Sequence, residues 1–521
     1  MPRLSLVVSV TCVLLRGVLA DADLVFDAEG YNHGRYGANP HQRYHSTDVS
    51  SPLLLVNQWD ANRTDDAQFI FLTLASPVNE GTVGPVIYRA ADLSLVYSNP
   101  RWSGVHDAHV ARFNDADYLV FLAQSRTVSR KSVTTDCLMY DSTYTLAYNV
   151  SSPGPSSASM GIHECQLSSG GSAVVVLIER IPFDLSSVGG PANGEVLDNI
   201  VQEIDVATGN LVWMWRASDH YDLSESYYEY TSGPGPYDYI HINSAAKVSD
   251  GNFLVSARHT HSVTLVDQKS GKRIWTLGGK NSSFADRSNE VATDFAWQHH
   301  ARFTDPAQRQ LTIFDNHGNT SVIGCVANCS RGKHVELDYQ RQTARLVHEF
   351  YHPERLASGF KGSYQTLDNG NVVLGWGANP TFTEHTPDGE CVLDVQFDAW
   401  RPDEGYPANY RAFKMNWTGM PDWDPQIAAV VAGDDGRVKI YVSWNGATEV
   451  ATWELLGGNS INGTFGSTIT VPRKGFETEI PVPGPVVLPF VRAAACDGNG
   501  KVLGMTAIVR LVQDGTGTNN A

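Results

Sequence analysis

The chain has almost no stretch of helical periodicity, no apolar run long enough to span a bilayer, and no cluster of lysine or arginine. Each absence excludes something. Without three- and four-residue apolar spacing there is no βαβ alternation, and so no α/β-hydrolase framework. A helical span needs about 20 apolar residues, and the run from Leu4 to Leu15 is too short. Basic residues number 38 against 56 acidic ones, for a formal net charge of −18. Neither nucleic acid nor an anionic membrane is an expected partner, because binding phosphate takes concentrated positive charge. Also missing are a Gly-x-Ser-x-Gly elbow, a phosphate-cradling glycine loop and a His-Glu-x-x-His pair.

What is present begins with a leader. Arg3, the apolar run and the small-residue ending Val18-Leu19-Ala20 have the layout of a cleaved secretory signal over residues 1–20. The polar end, Gly515 to Ala521, has no hydrophobic anchor behind it. The expectation is a secreted, soluble product. Removing the leader takes away Cys12 and leaves Cys137, Cys165, Cys325, Cys329, Cys391 and Cys496. An even count in an exported chain suggests up to three disulfides, with buried free thiols as the alternative. Asn-x-Ser/Thr acceptors begin at Asn62, Asn149, Asn281, Asn319, Asn328, Asn416 and Asn462, marking candidate glycosylated loops.

Short runs of Val, Ile, Tyr, Trp and Thr recur between Gly, Asn and Asp clusters, which is the strand-and-turn signature. One unit returns: an apolar strand, a turn of type Asp-x-x-Thr/Ser-Gly, and a second strand bearing an aromatic. Its clearest copies run from Ile200 to Trp213 and from Val263 to Trp275, with weaker ones at 86–97, 137–150, 335–350 and 382–397. Several are preceded by another strand opening at a Gly-Asn or Gly-Ser turn, as at Gly251, Gly370 and Gly171. About six such units imply an all-β, six-bladed β-propeller over 21–405, because stacked blades bury faces that one unit cannot. Two sandwiches in series are the rival arrangement. Pro407 to Pro421 reads as a crossing segment. Residues 422–515 read as a C-terminal β-sandwich-like module with a supporting role, with strands near Val438–Trp444, Ala451–Leu456 and Val486–Val491. Pro489 points to a sheet edge for the last of these.

Between 160 and 320, polar residues cluster in five histidine-bearing segments: those of His163, of His241 and Asn243, of Arg258, His259 and His261, of Gln298, His299 and His300, and of Asp315, Asn316 and His317. Spread over about three blades, they could converge on a channel. Taken singly, each histidine is ordinarily a hydrogen-bonded structural residue. As a set with Arg and Asn they suggest a pocket for an oxyanion, since Arg offers a rigid fork of donors. A metal site is the competing reading, which the lack of a carboxylate-rich loop disfavours.

In order and spacing, His163-Glu164, His241-Ile242-Asn243-Ser244, Ser256-Ala257-Arg258-His259, Trp297-Gln298-His299, Phe314-Asp315-Asn316, Gly375-Trp376-Gly377 and Ser443 to Glu449 resemble the arylsulfotransferase family, most closely its fungal branch. The resemblance implies a six-bladed propeller that moves a sulfuryl group from an aryl sulfate to another phenol, with no nucleotide donor, cofactor or metal. By motif, His299 would be the transiently sulfated nucleophile, with His300 as a second imidazole beside it. His241, Asn243 and Arg258 would hold the sulfuryl oxygens, and His163 would complete the site. The C-terminal module departs from the bacterial layout. The expected partner is a small phenolic molecule, and the pattern sets no oligomeric state. Two other readings stand: the same scaffold recruited to cyclisation or hydrolysis of a phenolic or polyketide-like metabolite, and a noncatalytic binding propeller.

Overall fold

A computed structural model describes residues 21–511, apart from 76–83, 103, 127–132, 234, 401–407, 433–436 and 483–487. The leader over 1–20 and the polar C-terminal tail lie outside the described residues. Among those described, the one α-helix is the short Ala28–Asn32, and nearly everything else regular is strand.

The repeat becomes hairpins. Each of its six copies forms a hairpin in a separate sheet of four or five strands whose central strands run in sequence order as an antiparallel meander; in the fifth and sixth sheets one further strand lies outside the hairpin. The third sheet shows the pattern, with Ala158–Leu167 innermost, then Ser172–Phe183, Gly194–Asp205 and Leu211–Arg216. The turn chemistry is local. Asp205 Oδ1 accepts from the Thr208 N–H at 2.8 Å and from its hydroxyl at 2.6 Å, while Asp267 does the same for Ser270 at 2.7 and 2.6 Å. The residue that follows must reverse the chain with positive φ, which glycine does without a Cβ clash: φ is 72° at Gly209 and 70° at Gly271.

Neighbouring sheets are glued face to face. Val174, Val176 and Val201 of the third sheet pack on Ala245, Phe253 and Val255 of the fourth, and Trp213 stacks on Phe253 at 3.9 Å. Equivalent cores join first to second, second to third, fourth to fifth and fifth to sixth. Another joins the sixth to the first, through Phe382 and Val395 against Ile70 and Val86. Two strand exchanges reinforce this last junction: Leu55–Trp59 from the N-terminal side pairs with Cys391–Gln396 of the sixth sheet, and 408–415 returns to Phe69–Ala75 of the first.

That return differs from the expectation of a crossing segment. Ala408–Asn409 and Phe413–Met415 form the inner edge of the first sheet. Buried charge hides the strand pattern here, since Arg411 and Lys414 sit inside the protein. Lys414 pairs with buried Glu384 at 2.9 Å.

Farther along, Gln426–Ala432, Arg437–Ser443 and Glu477–Pro481 make one sheet. Thr452–Gly458, Gly466–Pro472, Phe490–Cys496, Val502–Met505 and Val509–Arg510 make another, and the two share a core around Ile440, Val442, Trp453 and Val491. Of the strand expected at Val486–Val491, 486–487 lie outside the described residues; the strand described there, Phe490–Cys496, lies inside its sheet rather than at the edge. Pro489 precedes it, where no ladder N–H is required. Segment Ser443–Glu449 is the joint to the first two sheets: Asn445 bonds both ways with the Ser98 backbone at 3.0 Å, and the Tyr144 hydroxyl donates to the Gly446 carbonyl at 2.8 Å.

Two disulfides form, Cys137–Cys165 between the second and third sheets and Cys325–Cys329 within a short loop. Cys391 and Cys496 are buried thiols on different units, so a third disulfide is not made.

At the centre, Arg411 Nη1 lies 2.9 Å from Asp107 and 3.1 Å from Glu164, and Arg302 Nη2 is 2.7 Å from Glu164. The inner strands of the first, second, third and fifth sheets thus share one buried charge cluster. Burial alone would raise Glu164; Arg302 and Arg411 hold it below the usual carboxylate value. Removing one partner of such a cluster leaves unpaired buried charge. Arg411→Met is expected to lose about 3–5 kcal/mol of stability in denaturant unfolding, while Arg341→Ala, in the exposed pair with Asp338, shifts the midpoint little.

Candidate active site

Just beyond that cluster, the starts of the inner strands bring side chains from several sheets together. His163 stands on the third sheet's inner strand, and its ring meets that of His241, which immediately precedes the fourth sheet's inner strand, at 4.9 Å. His241 in turn lies 4.8 Å from His259, which follows Arg258 in the turn after Phe253–Ala257. His299 opens the fifth sheet's inner strand. Its charge environment is set by Arg258, His241 and Arg411.

The hydrogen bonds fix the His299 tautomer. Asn316 Nδ2 donates to the carbonyls of Ser358 at 2.6 Å and Lys361 at 2.9 Å, so its Oδ1 faces His299 Nδ1 at 2.7 Å. Nδ1 therefore carries the proton and Nε2 the lone pair, which accepts from the Lys361 backbone N–H at 3.1 Å. Burial first, then the Arg258 cation, pushes the His299 pKa well below 6.5. The ring is a neutral nitrogen base at neutral pH.

His241 Nδ1 donates to Asp238 at 2.6 Å, and Nε2 has no hydrogen-bond partner among the described residues. Arg258 donates to His259 Nε2 at 2.8 Å and to the Gly359 carbonyl at 2.9 Å, and its guanidinium lies 4.8 Å over the Trp297 ring. Asn243 gives one amide N–H to the Gln298 carbonyl at 2.7 Å, steadying the residue before His299. Among the described residues, His163 Nδ1, Asn243 Oδ1 and Arg258 Nε of this group are buried without a hydrogen-bond partner. Orphaned polar atoms at one locus suggest a site built for a polar ligand.

Asp238, His241 and His259 place ligand-type atoms within 4.8 Å of one another. The set does not suit a cation: the His259 Nε2 lone pair is taken by Arg258, whose positive charge stands against it.

The family model for arylsulfotransferase (ASST) matches residues 136–398, the span carrying His163, His241, Asn243, Arg258 and His299. The chain belongs to the arylsulfotransferase family. No curated protein matches it. Among solved structures it is similar to a Bacteroides caccae protein of unknown function, at 12% identity over 67% of this chain and 98% of that one, TM-score 0.40. It is also similar to a Pseudomonas aeruginosa periplasmic gluconolactonase, at 12% identity over 80% and 99%, TM-score 0.33, and to a streptogramin B lyase, at 10% over 74% and 94%, TM-score 0.29.

In this arylsulfotransferase-family chain the five motif residues fall in one region. His300 does not join them. Its Nδ1 accepts from the Tyr364 N–H at 3.1 Å and its ring meets Phe413 at 5.5 Å, on the packing side of the strand. His261 stacks on Tyr227 at 4.2 Å, and His317 leans on Asp315 at 3.3 Å. Other residues at the site carry no local signal in the sequence. His106 on the second sheet's inner strand meets Tyr410 at 5.5 Å, and Tyr410 meets His163 at 6.1 Å. Lys361 precedes the sixth sheet's inner strand.

Asp315 anchors the fifth-sheet side. It accepts from the Ala296 and His317 N–H groups at 3.0 Å and pairs with Arg331 at 3.0 Å and buried Lys333 at 3.4 Å. Burial would raise its pKa; Lys333, His317 and Arg331 hold it down at about 2. A depressed carboxyl stabilises above its unfolded pKa, 3.8, and loses that contribution as pH falls through about 2. The stability advantage of the parent over Asp315→Asn is expected to be full above pH 3.8 and to shrink toward pH 2, measured by unfolding across that window.

Proposed function

We propose that this protein is a secreted sulfotransferase that carries a sulfuryl group from an aryl sulfate to a phenolic acceptor by way of a sulfohistidine at His299. In this reading the six sheets are the blades of a closed β-propeller over 21–405, completed by the returning strand after it. The two-sheet C-terminal unit supports it. The observation that carries the proposal is the fixed neutral state of His299, with Nδ1–H held by Asn316 and the lone pair on Nε2.

Sulfuryl transfer spreads negative charge over three equatorial oxygens in a loose transition state, so positioning and preorganised donors supply most of the acceleration. Arg258 offers its guanidinium, and Asn243 its second amide N–H. His163 and His241 stand beside them. Sulfur takes the place of the Lys361 N–H on Nε2, and the transfer divides into two displacements. Neither step calls for a nucleotide or a metal. Export is supported by the leader, the two disulfides and the exposure of all seven acceptor asparagines. No helix among the described residues is long and apolar enough to cross a membrane.

A second reading is favoured by the His241–Asp238 pair at 2.6 Å, whose free Nε2 suits general-base work on a phenolic or polyketide-like substrate. It predicts turnover with no sulfate donor present.

Intact mass after brief exposure to an aryl sulfate tests the first reading. A sulfuryl-sized gain in the parent and none in His299→Ala is expected, together with ping-pong kinetics for two phenols. No gain in the parent contradicts it. Because the His299 pKa lies well below 6.5, protonation of this ring should impose no falling limb on sulfuryl uptake between about pH 7.5 and 6.5. A loss of uptake centred near 6.5 that persists in His241→Asn would contradict that assignment.

A further inference from the structure

Residues Gly359 to Gly362 form a strap that meets the site through Gly359 and Lys361. The Gly359 carbonyl accepts from Arg258 at 2.9 Å, and the Phe360 carbonyl from the Ala378 N–H at 3.1 Å. Lys361 caps His299 Nε2 with its N–H at 3.1 Å, and its carbonyl takes Asn316 Nδ2 at 2.9 Å. Gly362 donates to the Tyr410 carbonyl at 3.0 Å. The strap is closely seated. A Cβ at Gly377, where φ is 56°, would collide with the Phe360 carbonyl, and one at Gly362, where φ is 109°, with the Phe314 ring.

Lys361 itself has φ of 64°, left-handed backbone that a lysine adopts at some cost in energy. Its ammonium makes no hydrogen bond or ion pair among the described residues; the Phe360 ring lies 5.6 Å away. Loss of water around it brings its pKa down to about 8, and its charge helps depress His106 on the inner strand opposite. Phe360, beside it, is 45% exposed. A partly buried ammonium without a counter-ion among the described residues, on the residue whose backbone N–H caps the lone pair of the proposed nucleophile, suits a ligand on which negative charge develops.

Building on the sulfotransfer reading, we propose that Lys361 is the catalytic residue that passes a proton to and from the phenolic oxygen, with Phe360 offering a face for the aryl ring. In the first half, His299 Nε2 bonds to sulfur while the S–O bond to the aryl group breaks. The bonding pair leaves on the phenolic oxygen, which takes a proton from the Lys361 ammonium and leaves a neutral amine. In the second half, that amine takes the hydroxyl proton of the acceptor as its oxygen attacks sulfur, and the S–N pair returns to Nε2.

The test is single-turnover release of phenol from a series of aryl sulfates, from the 4-nitrophenyl ester to the unsubstituted phenyl ester, by the parent and by Lys361→Met. A proton donor matters most for the poorest leaving group, and general acid catalysis contributes about 10²–10⁴-fold. Lys361→Met is expected to slow the phenyl ester by about 10²-fold or more but the 4-nitrophenyl ester only several-fold, steepening the dependence of rate on phenol acidity. Lys361→Gln, also uncharged but polar, should show the same steepening if packing is not the cause. An equal loss across the series in both variants, or no loss in either, overturns the proposal. A parent that releases no phenol from any ester overturns instead the sulfotransfer reading on which it rests.

Discussion

Arg411 lies fully inside the protein, between Asp107 and Glu164, and Glu164 is shared with Arg302. Two cations and two carboxylates from four sheets face one another, with Arg411, Asp107 and Glu164 buried and Arg302 partly so. Arg411 also donates to the backbone carbonyls of His163 and Asn243, at 3.1 and 3.3 Å, and Arg302 to the Ser244 hydroxyl at 2.7 Å. The cluster therefore fixes where the inner strands begin, and with them the imidazoles just beyond. Its positive members bear on His163, His299 and His300 and add to burial in keeping all three rings uncharged. A charge cluster that organises the centre of the fold thus also reinforces, after burial, the neutral state of the site's imidazoles.

The outer part of the fold was legible in the sequence because its chemistry is local. An aspartate two or three residues before a Thr or Ser accepts from that residue wherever the turn occurs, and a glycine follows where φ is positive, as at Asp205–Gly209 and Asp267–Gly271. Apolar alternation on either side then marks the hairpin. The strand at 408–415 was not legible, because Arg411 and Lys414 face the interior and break the alternation by which strands are recognised. Only partners distant in sequence, Glu164 and Glu384, make those buried charges tolerable. Pro489 misled in the opposite direction, since a proline just before a strand reads like one within it.

At the site, the recurring histidine segments could be seen without coordinates, and the structure gathers His163, His241, Asn243, Arg258 and His299 in one region. What could not be seen was the division between neighbours: His299 and His300 are adjacent in sequence, yet one bonds Asn316 and the other accepts from Tyr364. His106, Tyr410 and Lys361 carry no motif of their own. They reach the centre because three further inner strands converge there, which is a property of sheet order and not of local sequence.

The account turns on a neutral His299 with its proton on Nδ1. Protein labelled with ¹⁵N-histidine, the His299 signals assigned by their loss in His299→Asn, reports this directly through long-range proton–nitrogen correlations. The account predicts an Nε2 shift typical of an unprotonated ring nitrogen, unchanged as pH falls from about 8 to 6. A proton on Nε2, or a titration centred near 6.5, would contradict it.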